Sequence, residues 1–389
     1  MLLSVATQKK EIFNEPITWV CVQRIIILKN TLMNILKMTI AFLAIISYTS
    51  LSAQYNTNAG KNRAYNQEVQ QVAVKDDEGQ QVLDEIGNAV FEEKIVEVAV
   101  AADTYGNAAG TEYDLATDGA FEGNTIAVLH LYTGEGFDFS KPKAALEEKG
   151  FSIYRWINQP PSPEVLREQL KSASQLWVIS DQSQKLTDEH AEVIKEFFDS
   201  GKGLYIWGDN QPYYADANFL TQKIFGTTMN GNTSAGKTVG ISGESANKSG
   251  IVDGHLIATG VSNMYEGITI ATVEATQDLS PLVYGSADNL VTAVYEKDGK
   301  RAIIDGGFTR LYYAWDTAGT GRYVKNAASW LVNYERFGEL VYNEVKAEKK
   351  KDESLNLDKD IIEHEDLGDI IHIELDDMIE PELDFNVRN

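Results

Sequence analysis

Residues 176–210 read LWVISDQSQKLTDEHAEVIKEFFDSGKGLYIWGDN, in which two apolar runs flank an amphipathic stretch. The runs at 176–180 and 204–207 have the length and composition of buried strands. Between them, the sequence from Thr187 to His190 opens a segment with apolar residues at helical spacing, which ends at Gly201. A strand, a capped helix and a second strand joined by short turns predict a parallel sheet with helices on its faces.

The same alternation of strand and helix continues on both sides of this unit. The other predicted core strands are 125–132, 151–156 and 301–305, and the other predicted helices are 141–149, 162–172 and 323–334. Residues 226–300 interrupt the pattern because they are rich in Gly, Asn, Ser and Thr and contain only short strands at 267–273 and 291–295. We therefore predict a flavodoxin-like, three-layer α/β domain over residues 123–340, with a parallel sheet and a β-rich insertion.

The segment upstream of this domain contains a pattern typical of a signal peptide. Residues 33–54 read MNILKMTIAFLAIISYTSLSAQ, in which Lys37 precedes an apolar run and small residues lead to Ala53. The run is too short for a comfortable membrane span, although a short membrane anchor is the alternative. We predict that residues 1–53 are an upstream segment and a signal peptide at about 33–53. The mature chain is then exported, periplasmic or secreted, and contains no membrane span.

Composition limits the partners of the mature chain. The formal net charge is −24, and because residues 1–53 carry five Lys or Arg and two Asp or Glu, the rest of the chain carries −27. Such a chain repels the phosphates of nucleic acids, so we expect no nucleic-acid partner. Residues 54–122 are polar and are interpreted as a linker or small accessory region. Residues 341–389 form an acidic tail that we predict to be disordered.

The cysteine and histidine content argues against several kinds of site. Cys21 is the single cysteine, and it precedes the predicted cleavage point. The mature chain therefore has no disulfide, no Cys-ligated zinc and no cysteine nucleophile. The five histidines show no H-x-x-x-H or H-E-x-x-H spacing. We expect neither a metal nor a cofactor.

Polar residues follow the predicted strands, where an open α/β sheet binds its ligands. The ligand-binding candidates at these strand ends are Thr133, Glu135, Asp181, Gln182, Asp209, Asn210, Tyr213, Asp305, Thr309 and Arg310. His255 is added because it lies in a loop, in the sequence Asp-Gly-His. The alternative interpretation is that the Asp and Asn residues only cap the helices that follow.

The quoted stretch at 176–210 resembles the class I glutamine amidotransferase-like fold, in particular its non-amidotransferase relatives of the trehalose-utilisation and gliding-motility type. The shared features are a strand ending in Ser-Asp, a helix that begins with Leu-Thr, and a following Gly-x-Gly-Leu strand. The stretches HLIATGVSNMYEGITI at 255–270 and RAIIDGGFTRLYY at 301–313 resemble the late β-rich insertion and the last core strand of those proteins. The resemblance covers residues 124–335.

The chain departs from the amidotransferases where their chemistry occurs. Their cysteine follows the strand equivalent to 204–207, but here that turn reads Gly-Asp-Asn-Gln, and the later His-x-Glu pair and a G-x-S-x-G elbow are absent. The resemblance therefore transfers no catalytic residue. Our first hypothesis is an exported, non-catalytic module that binds an unknown protein or small molecule. The alternative is a hydrolase or carbohydrate-active enzyme that uses Asp181, Asp209 or His255.

A second alternative comes from residues 231–238, GNTSAGKT, which match the phosphate-loop pattern G-x-x-x-x-G-K-[ST]. That motif requires a buried strand before it and a helix after it, and neither flanking sequence has that character. We interpret the segment as a flexible loop, and a nucleotide site at Lys237 as the less favoured possibility.

Overall fold

The computed structural model describes residues 55–134 and 136–334, which form strands and helices in alternation. The strands are β1 (Tyr65–Ala73), β2 (Phe91–Ala99), β3 (Thr125–His130), β4 (Ser152–Ile157), β5 (Gln175–Ile179), β6 (Gly203–Trp207), β7 (Met229–Ser234), β8 (Thr238–Val239), β9 (Gly250–Ile251), β10 (Met264–Tyr265), β11 (Thr269–Val273), β12 (Ser280–Tyr284), β13 (Leu290–Lys297) and β14 (Lys300–Asp305). The helices are α1 (Ser140–Glu148), α2 (Pro163–Leu170), α3 (Asp188–Asp199), α4 (Ala215–Phe225) and α5 (Thr320–Leu331).

The main sheet has the strand order β4-β3-β5-β6-β14-β13-β12-β9. Its first five strands are parallel to their neighbours, and they follow the 2-1-3-4-5 order of flavodoxin-like proteins. The predicted flavodoxin-like α/β fold is thus confirmed. The last three strands are antiparallel and belong to the insertion, so the sheet is mixed.

A two-residue turn explains why the sheet changes direction at β14. Lys297 pairs with Lys300, which leaves Asp298 and Gly299 as the turn, and both have positive φ angles of 54° and 67°. Consecutive positive φ angles are typical of the hairpin turns that join antiparallel strands. β13 must therefore run against β14, and the insertion extends the sheet from that edge.

Helices cover both faces of the sheet and bury two apolar clusters. Residues of α1 and α5 lie in one cluster, and residues of α2, α3 and α4 lie in the other. The caps expected from the sequence are present: the Ser162 side chain accepts from the Val165 N–H, and the Thr187 side chain accepts from the His190 N–H. These caps fix where α2 and α3 begin.

The phosphate-loop-like segment 231–238 lies partly within strands. It includes the end of β7, which pairs with β11, and the beginning of β8, which pairs with β10. The Lys237 N–H donates to Glu266 Oε1 at 3.0 Å, and its side chain is exposed. A phosphate site needs a helix N-terminus after the loop, whereas this loop leads into a strand.

Residues 55–122, interpreted above as a linker or accessory region, form the β1–β2 hairpin and a segment that packs on the core. Asp114 is buried and contacts three cations, namely Arg322 Nε at 2.6 Å, Lys325 Nζ at 2.8 Å and Lys149 Nζ at 2.9 Å. Leu115, beside it, is fully buried in the cluster that contains α5. This segment therefore contributes to the core of the domain.

The predicted signal peptide and acidic tail lie outside the described residues. Within 55–134 and 136–334, no helix combines the length and the apolar character needed to cross a bilayer.

The Asp114 cluster should be a large contributor to stability. Asp114→Ala leaves Lys149, which is fully buried, without its buried counter-charge, so we expect a loss of about 3–5 kcal/mol in the free energy of unfolding. Asp118→Ala is the matched control, because Asp118 also contacts Lys149 but is 52% exposed, and it should lower stability by about 1 kcal/mol or less. Urea titration measures both values. Equal losses in the two variants would contradict the importance of the buried contact.

Candidate functional site

The carboxyl ends of β5, β6 and β14 lie side by side at one edge of the sheet. Trp207, the last residue of β6, pairs with Ile179 on one side and with Asp305 on the other. Asp181 and Asp209 each follow these paired positions by two residues, so the three carboxylates expected at this edge are indeed at one edge. In flavodoxin-like sheets, ligands bind outside this edge.

Asp305 forms a saturated, fully buried network. Its Oδ2 accepts from Arg310 Nη1 at 2.9 Å, from Tyr323 Oη at 3.0 Å and from Tyr205 Oη at 3.2 Å. Its Oδ1 accepts from the Gly307 N–H at 2.9 Å. A carboxylate with four donors has no capacity left for a ligand, so Asp305 holds the core together.

The remaining contacts of Arg310 are also internal. Its Nη1 lies 3.4 Å from Thr292 Oγ1, and its Nη2 donates to the Glu266 carbonyl at 3.0 Å. Thr309, its neighbour, is buried, and its Oγ1 accepts from the Ile268 N–H at 2.9 Å. The sequence predicts Asp305, Thr309 and Arg310 as ligand-binding candidates. The structure instead places all three side chains inside the domain.

Asp181 is paired within the protein. Its Oδ2 accepts from Thr133 Oγ1 and from Lys185 Nζ, both at 2.8 Å. Burial acts to raise the pKa of Asp181, but hydrogen bonds from Lys185, from the Gln182 N–H and from Thr133 outweigh it, and the pKa lies below its ordinary value. Asp181 is thus a stable carboxylate that joins the ends of β3 and β5.

Asp209 is in the opposite situation. It is 4% exposed, and its Oδ1 has no hydrogen-bond partner among the described residues. Burial raises the pKa of Asp209 to about 8, against the lowering effects of the Asn210 N–H and of Arg310, while the charge of Asp305 adds to the increase. At neutral pH the side chain is therefore mainly a neutral carboxylic acid, which can donate a hydrogen bond.

Aromatic side chains surround this edge of the sheet. The Tyr132 ring is 4.8 Å from the Phe308 ring and 5.8 Å from the Tyr213 ring, measured between centroids. Burial raises the pKa of Tyr132, and a hydrogen bond with Tyr312 and the charge of Asp209 act in the same direction. Tyr132, Tyr213 and Tyr312 are each half-buried, and we call these three residues the tyrosine rim.

Two members of the tyrosine rim were missed in the sequence. Tyr132 is the second residue after β3, the same position that Asp181 occupies after β5 and Asp209 after β6, so the strand-end rule applies to it equally. It is absent from the candidates named above because an aromatic residue that follows an apolar run is normally interpreted as a core residue. Tyr312 follows a short 3-10 turn at Phe308–Leu311, and no sequence pattern predicts where that turn directs it.

The other candidates fall into different environments. Asn210 Oδ1 accepts from Thr269 Oγ1 at 2.7 Å, which ties the turn after β6 to the insertion. The Gln182 side chain is exposed at the edge that carries Asp181. Glu135 lies outside the described residues.

His255 is not part of this group. Its Nδ1 accepts from the Ile257 N–H at 3.2 Å, and its ring packs against Trp330 at 5.0 Å. Burial lowers the pKa of His255 to about 4, with Glu296 and Arg301 as its charged neighbours. Arg301 and Glu296 are paired at the beginning of β14, the opposite end of that strand from Asp305. His255 is a neutral, structural residue in this position.

Solved structures resemble the chain in fold. The cytoplasmic protein STM3548 from Salmonella typhimurium is 12% identical with a TM-score of 0.35, and the match covers 54% of this chain and 97% of that one. A protein described as a GMP synthase subunit, from Thermoplasma acidophilum, is 8% identical with a TM-score of 0.33, covering 56% and 97%. A ThuA-like protein from Parabacteroides merdae is 10% identical with a TM-score of 0.36, covering 54% and 90%.

No protein-family model matches the chain, and no curated protein matches it either. At these identities the similarities concern the fold alone, so no activity or ligand is transferred from them. The resemblance to the class I glutamine amidotransferase-like fold is supported at the level of the fold alone, and the strand order described above is that of flavodoxin-like sheets in general.

The neutral state of Asp209 predicts a specific pH dependence of stability. Below pH 4 the carboxyl is protonated in both the folded and the unfolded chain. Between pH 4 and 8 the unfolded chain releases this proton while the folded chain keeps it, so wild-type stability falls as pH rises, by on the order of 5 kcal/mol from this group. Asp209→Asn cannot ionise and should lose that part of the decline.

Urea unfolding at pH 4, 6 and 8 measures this difference. The stability of the Asp209→Asn variant relative to wild type should increase steadily over the range. Asp77→Asn, which changes an exposed carboxyl, is the matched control and should run parallel to wild type. An Asp209→Asn profile parallel to that of wild type would show that the carboxyl is ionised in the folded chain.

Proposed function

We propose that the chain is an exported, non-catalytic module that binds a small neutral ligand at the carboxyl edge of its sheet. The observation that carries this proposal is the buried Asp209 carboxyl, whose Oδ1 has no partner in the described part of the chain. An unsatisfied buried polar atom destabilises a fold, so a ligand that bonds to it recovers that free energy. The tyrosine rim provides apolar contact surface beside it.

The chemistry of the site favours a neutral ring that bears hydroxyl groups, such as a sugar. Tyrosine rings offer apolar faces for stacking and polar tips for hydrogen bonds. A neutral Asp209 donates to a hydroxyl or carbonyl oxygen, and its second oxygen accepts. The large negative charge of the chain disfavours anionic ligands, including nucleotides.

A non-catalytic role is supported by the turn after β6. Asp209 occupies this turn, where the resembled amidotransferases carry their cysteine. A carboxyl with a raised pKa is neither a thiolate nor a strong nucleophile at neutral pH. No cysteine follows residue 21 in the whole sequence.

One observation favours a hydrolase as the second candidate. Asp181 and Asp209 follow neighbouring strands, and their environments shift their pKa values in opposite directions. A carboxylate beside a carboxylic acid is the pair that glycoside hydrolysis requires. The pairing of Asp181 with Lys185 and Thr133 weighs against this role, because those contacts occupy the carboxylate that would act as base or nucleophile.

Ligand binding at the tyrosine rim can be tested with a panel of neutral mono- and oligosaccharides, measured by calorimetry at pH 6. For a sugar that binds, Tyr213→Ala should weaken the affinity at least tenfold because a stacking surface is lost, and Asp209→Asn should weaken it less, since an amide still bonds a hydroxyl. Tyr154→Ala is the matched control, because Tyr154 is an exposed tyrosine on β4.

Three outcomes decide between the candidates. Selective weakening in Tyr213→Ala supports the proposed site. Equal weakening in Tyr154→Ala, or no binding by any sugar, contradicts it. Release of nitrophenol from p-nitrophenyl glycosides by wild type, abolished in Asp209→Asn, favours the hydrolase instead.

Export is tested separately. Lys37, the apolar run after it and the small residues up to Ala53 support cleavage near Ala53. Mass spectrometry of the mature protein from a native or related host should find an N-terminus close to Gln54. Ala53→Phe should block processing because the cleavage site needs a small residue. An unprocessed N-terminus at Met1 or Met33 in a soluble cytoplasmic fraction would rule out export.

A further inference from the structure

The β1–β2 hairpin carries large apolar side chains that are exposed to solvent. Val69 and Ile95 are cross-strand partners, and each is 66% exposed. Phe91 lies on the same face, four residues before Ile95 in β2, and is 54% exposed. We call these three residues the hairpin stripe. Large apolar side chains that cluster on one exposed face of a folded surface mark interaction sites.

The hairpin is ordered beyond its two strands. Residues 74–81 and 82–89 form two consecutive small hairpins with the same Asp-x-x-Gly turn. In the first, Asp76 Oδ1 accepts from the N–H groups of Glu78 and Gln80, at 3.0 and 2.8 Å. In the second, Asp84 Oδ1 accepts in the same way from Ile86 and Asn88. Such side-chain caps specify the turns locally, so the end of the hairpin does not depend on a packed core.

Three valines close the junction between the two small hairpins and the long one. The Val74 N–H donates to the Val90 carbonyl, the Val82 N–H to the Val74 carbonyl, and the Val90 N–H to the Val82 carbonyl, at 2.8–2.9 Å. The hairpin is therefore presented to solvent as a preformed surface, which lowers the entropy lost on binding.

The strands of the hairpin also have unused pairing capacity. In the described part of the chain, β1 and β2 form a sheet of two strands, with no third strand on either outer edge. A two-stranded sheet is marginally stable in water, whereas a third strand adds backbone hydrogen bonds and covers apolar surface. Addition of a strand to an exposed edge is an established mode of peptide recognition.

Charge selects the kind of strand that fits. Residues 65–99 contain nine Asp or Glu and two Lys or Arg. Glu68 and Glu92 are exposed on the face of the hairpin opposite the stripe, which is where the basic residues of a segment lie when its apolar residues meet the stripe. A second copy of this chain would bring an equally acidic hairpin against this one, and the two would repel each other.

We propose that the β1–β2 hairpin is the docking surface for a partner protein that adds an extended segment of alternating apolar and basic residues as a third strand. The apolar side chains of the segment extend the hairpin stripe on one face, and its Lys or Arg residues lie on the other face, near the exposed carboxylates of Glu68 and Glu92. This interaction is independent of the ligand site at the carboxyl edge of the main sheet.

The test uses the full chain and a ten-residue synthetic peptide that alternates valine and lysine, with a peptide alternating valine and glutamate as the charge control. Fluorescence anisotropy of the labelled peptides measures affinity. We expect the lysine peptide to bind and the glutamate peptide to show no binding. Amide exchange followed by NMR should show new protection on an outer edge of the hairpin when the lysine peptide is added.

Two variants separate the apolar contribution from the charge contribution. Val69→Thr with Ile95→Thr keeps strand-forming residues but removes apolar surface, and it should weaken lysine-peptide binding at least tenfold. Glu68→Gln with Glu92→Gln leaves the stripe face unchanged and should weaken binding by a similar factor and reduce its salt dependence. Val165→Thr, an exposed valine on α2, is the matched control and should bind like wild type.

Several results would overturn the proposal. Absence of lysine-peptide binding would do so, as would equal binding by all variants, which indicates general attraction to an acidic protein. Protection of the outer-edge amides in the free chain would show that another segment of this chain covers the hairpin. A concentration-dependent dimer that disappears in the Val69→Thr, Ile95→Thr variant would identify a second copy as the occupant.

Discussion

The buried ion pair between Asp305 and Arg310 determines the geometry of the carboxyl edge. It joins the end of β14 to β6 through Tyr205 and to α5 through Tyr323, and the Arg310 guanidinium continues to the insertion through the Glu266 carbonyl. Removing either partner alone leaves an uncompensated charge in the core, which strongly destabilises the folded chain. Its field also acts on Asp209, where the two charges oppose each other and leave burial as the dominant influence on the pKa. The core pair therefore supports the candidate site without taking part in it.

Much of the fold could be predicted from local sequence, because each core strand is a short apolar run and α2 and α3 begin at Ser162 and Thr187 with side-chain caps. The order of strands in the sheet, however, depends on contacts between distant segments that no local pattern reports. The antiparallel pairing of β13 with β14 follows from the turn at Asp298 and Gly299, an Asp-Gly pair of the kind that predicts a hairpin, and the prediction of a parallel sheet took no account of it. The interpretation of residues 54–122 as a linker or small accessory region did not include the β1–β2 hairpin, because its capped turns and exposed strands have the polar composition that is typical of loops.

At the candidate site, too, the sequence predicts where residues lie but not which groups they contact. The strand-end rule places Asp181, Asp209 and Asp305 at one edge, and the register between β5, β6 and β14 agrees. The rule cannot tell which carboxylate finds partners, because those partners come from other segments: Lys185 and Thr133 for Asp181, and Arg310 with two tyrosines for Asp305. Of these three carboxylates, Asp209 is the one with a buried oxygen that has no hydrogen-bond partner in the described residues. For the same reason, the position of His255 in a loop does not predict the environment of its ring, which packs on Trp330.

The presence of an aspartate at position 209 is itself an argument for function. A neutral carboxyl in an apolar setting lowers stability at neutral pH, and an apolar residue of similar size at that position would avoid the penalty. Sequences tolerate such local conflicts mainly at functional sites, where a group is kept for what it does to a ligand. A carboxylic acid offers one donor and one acceptor side by side. The turn after β6 therefore suits recognition of a polar, uncharged group, and burial, which makes Asp209 a poor nucleophile, makes it an effective hydrogen-bond donor.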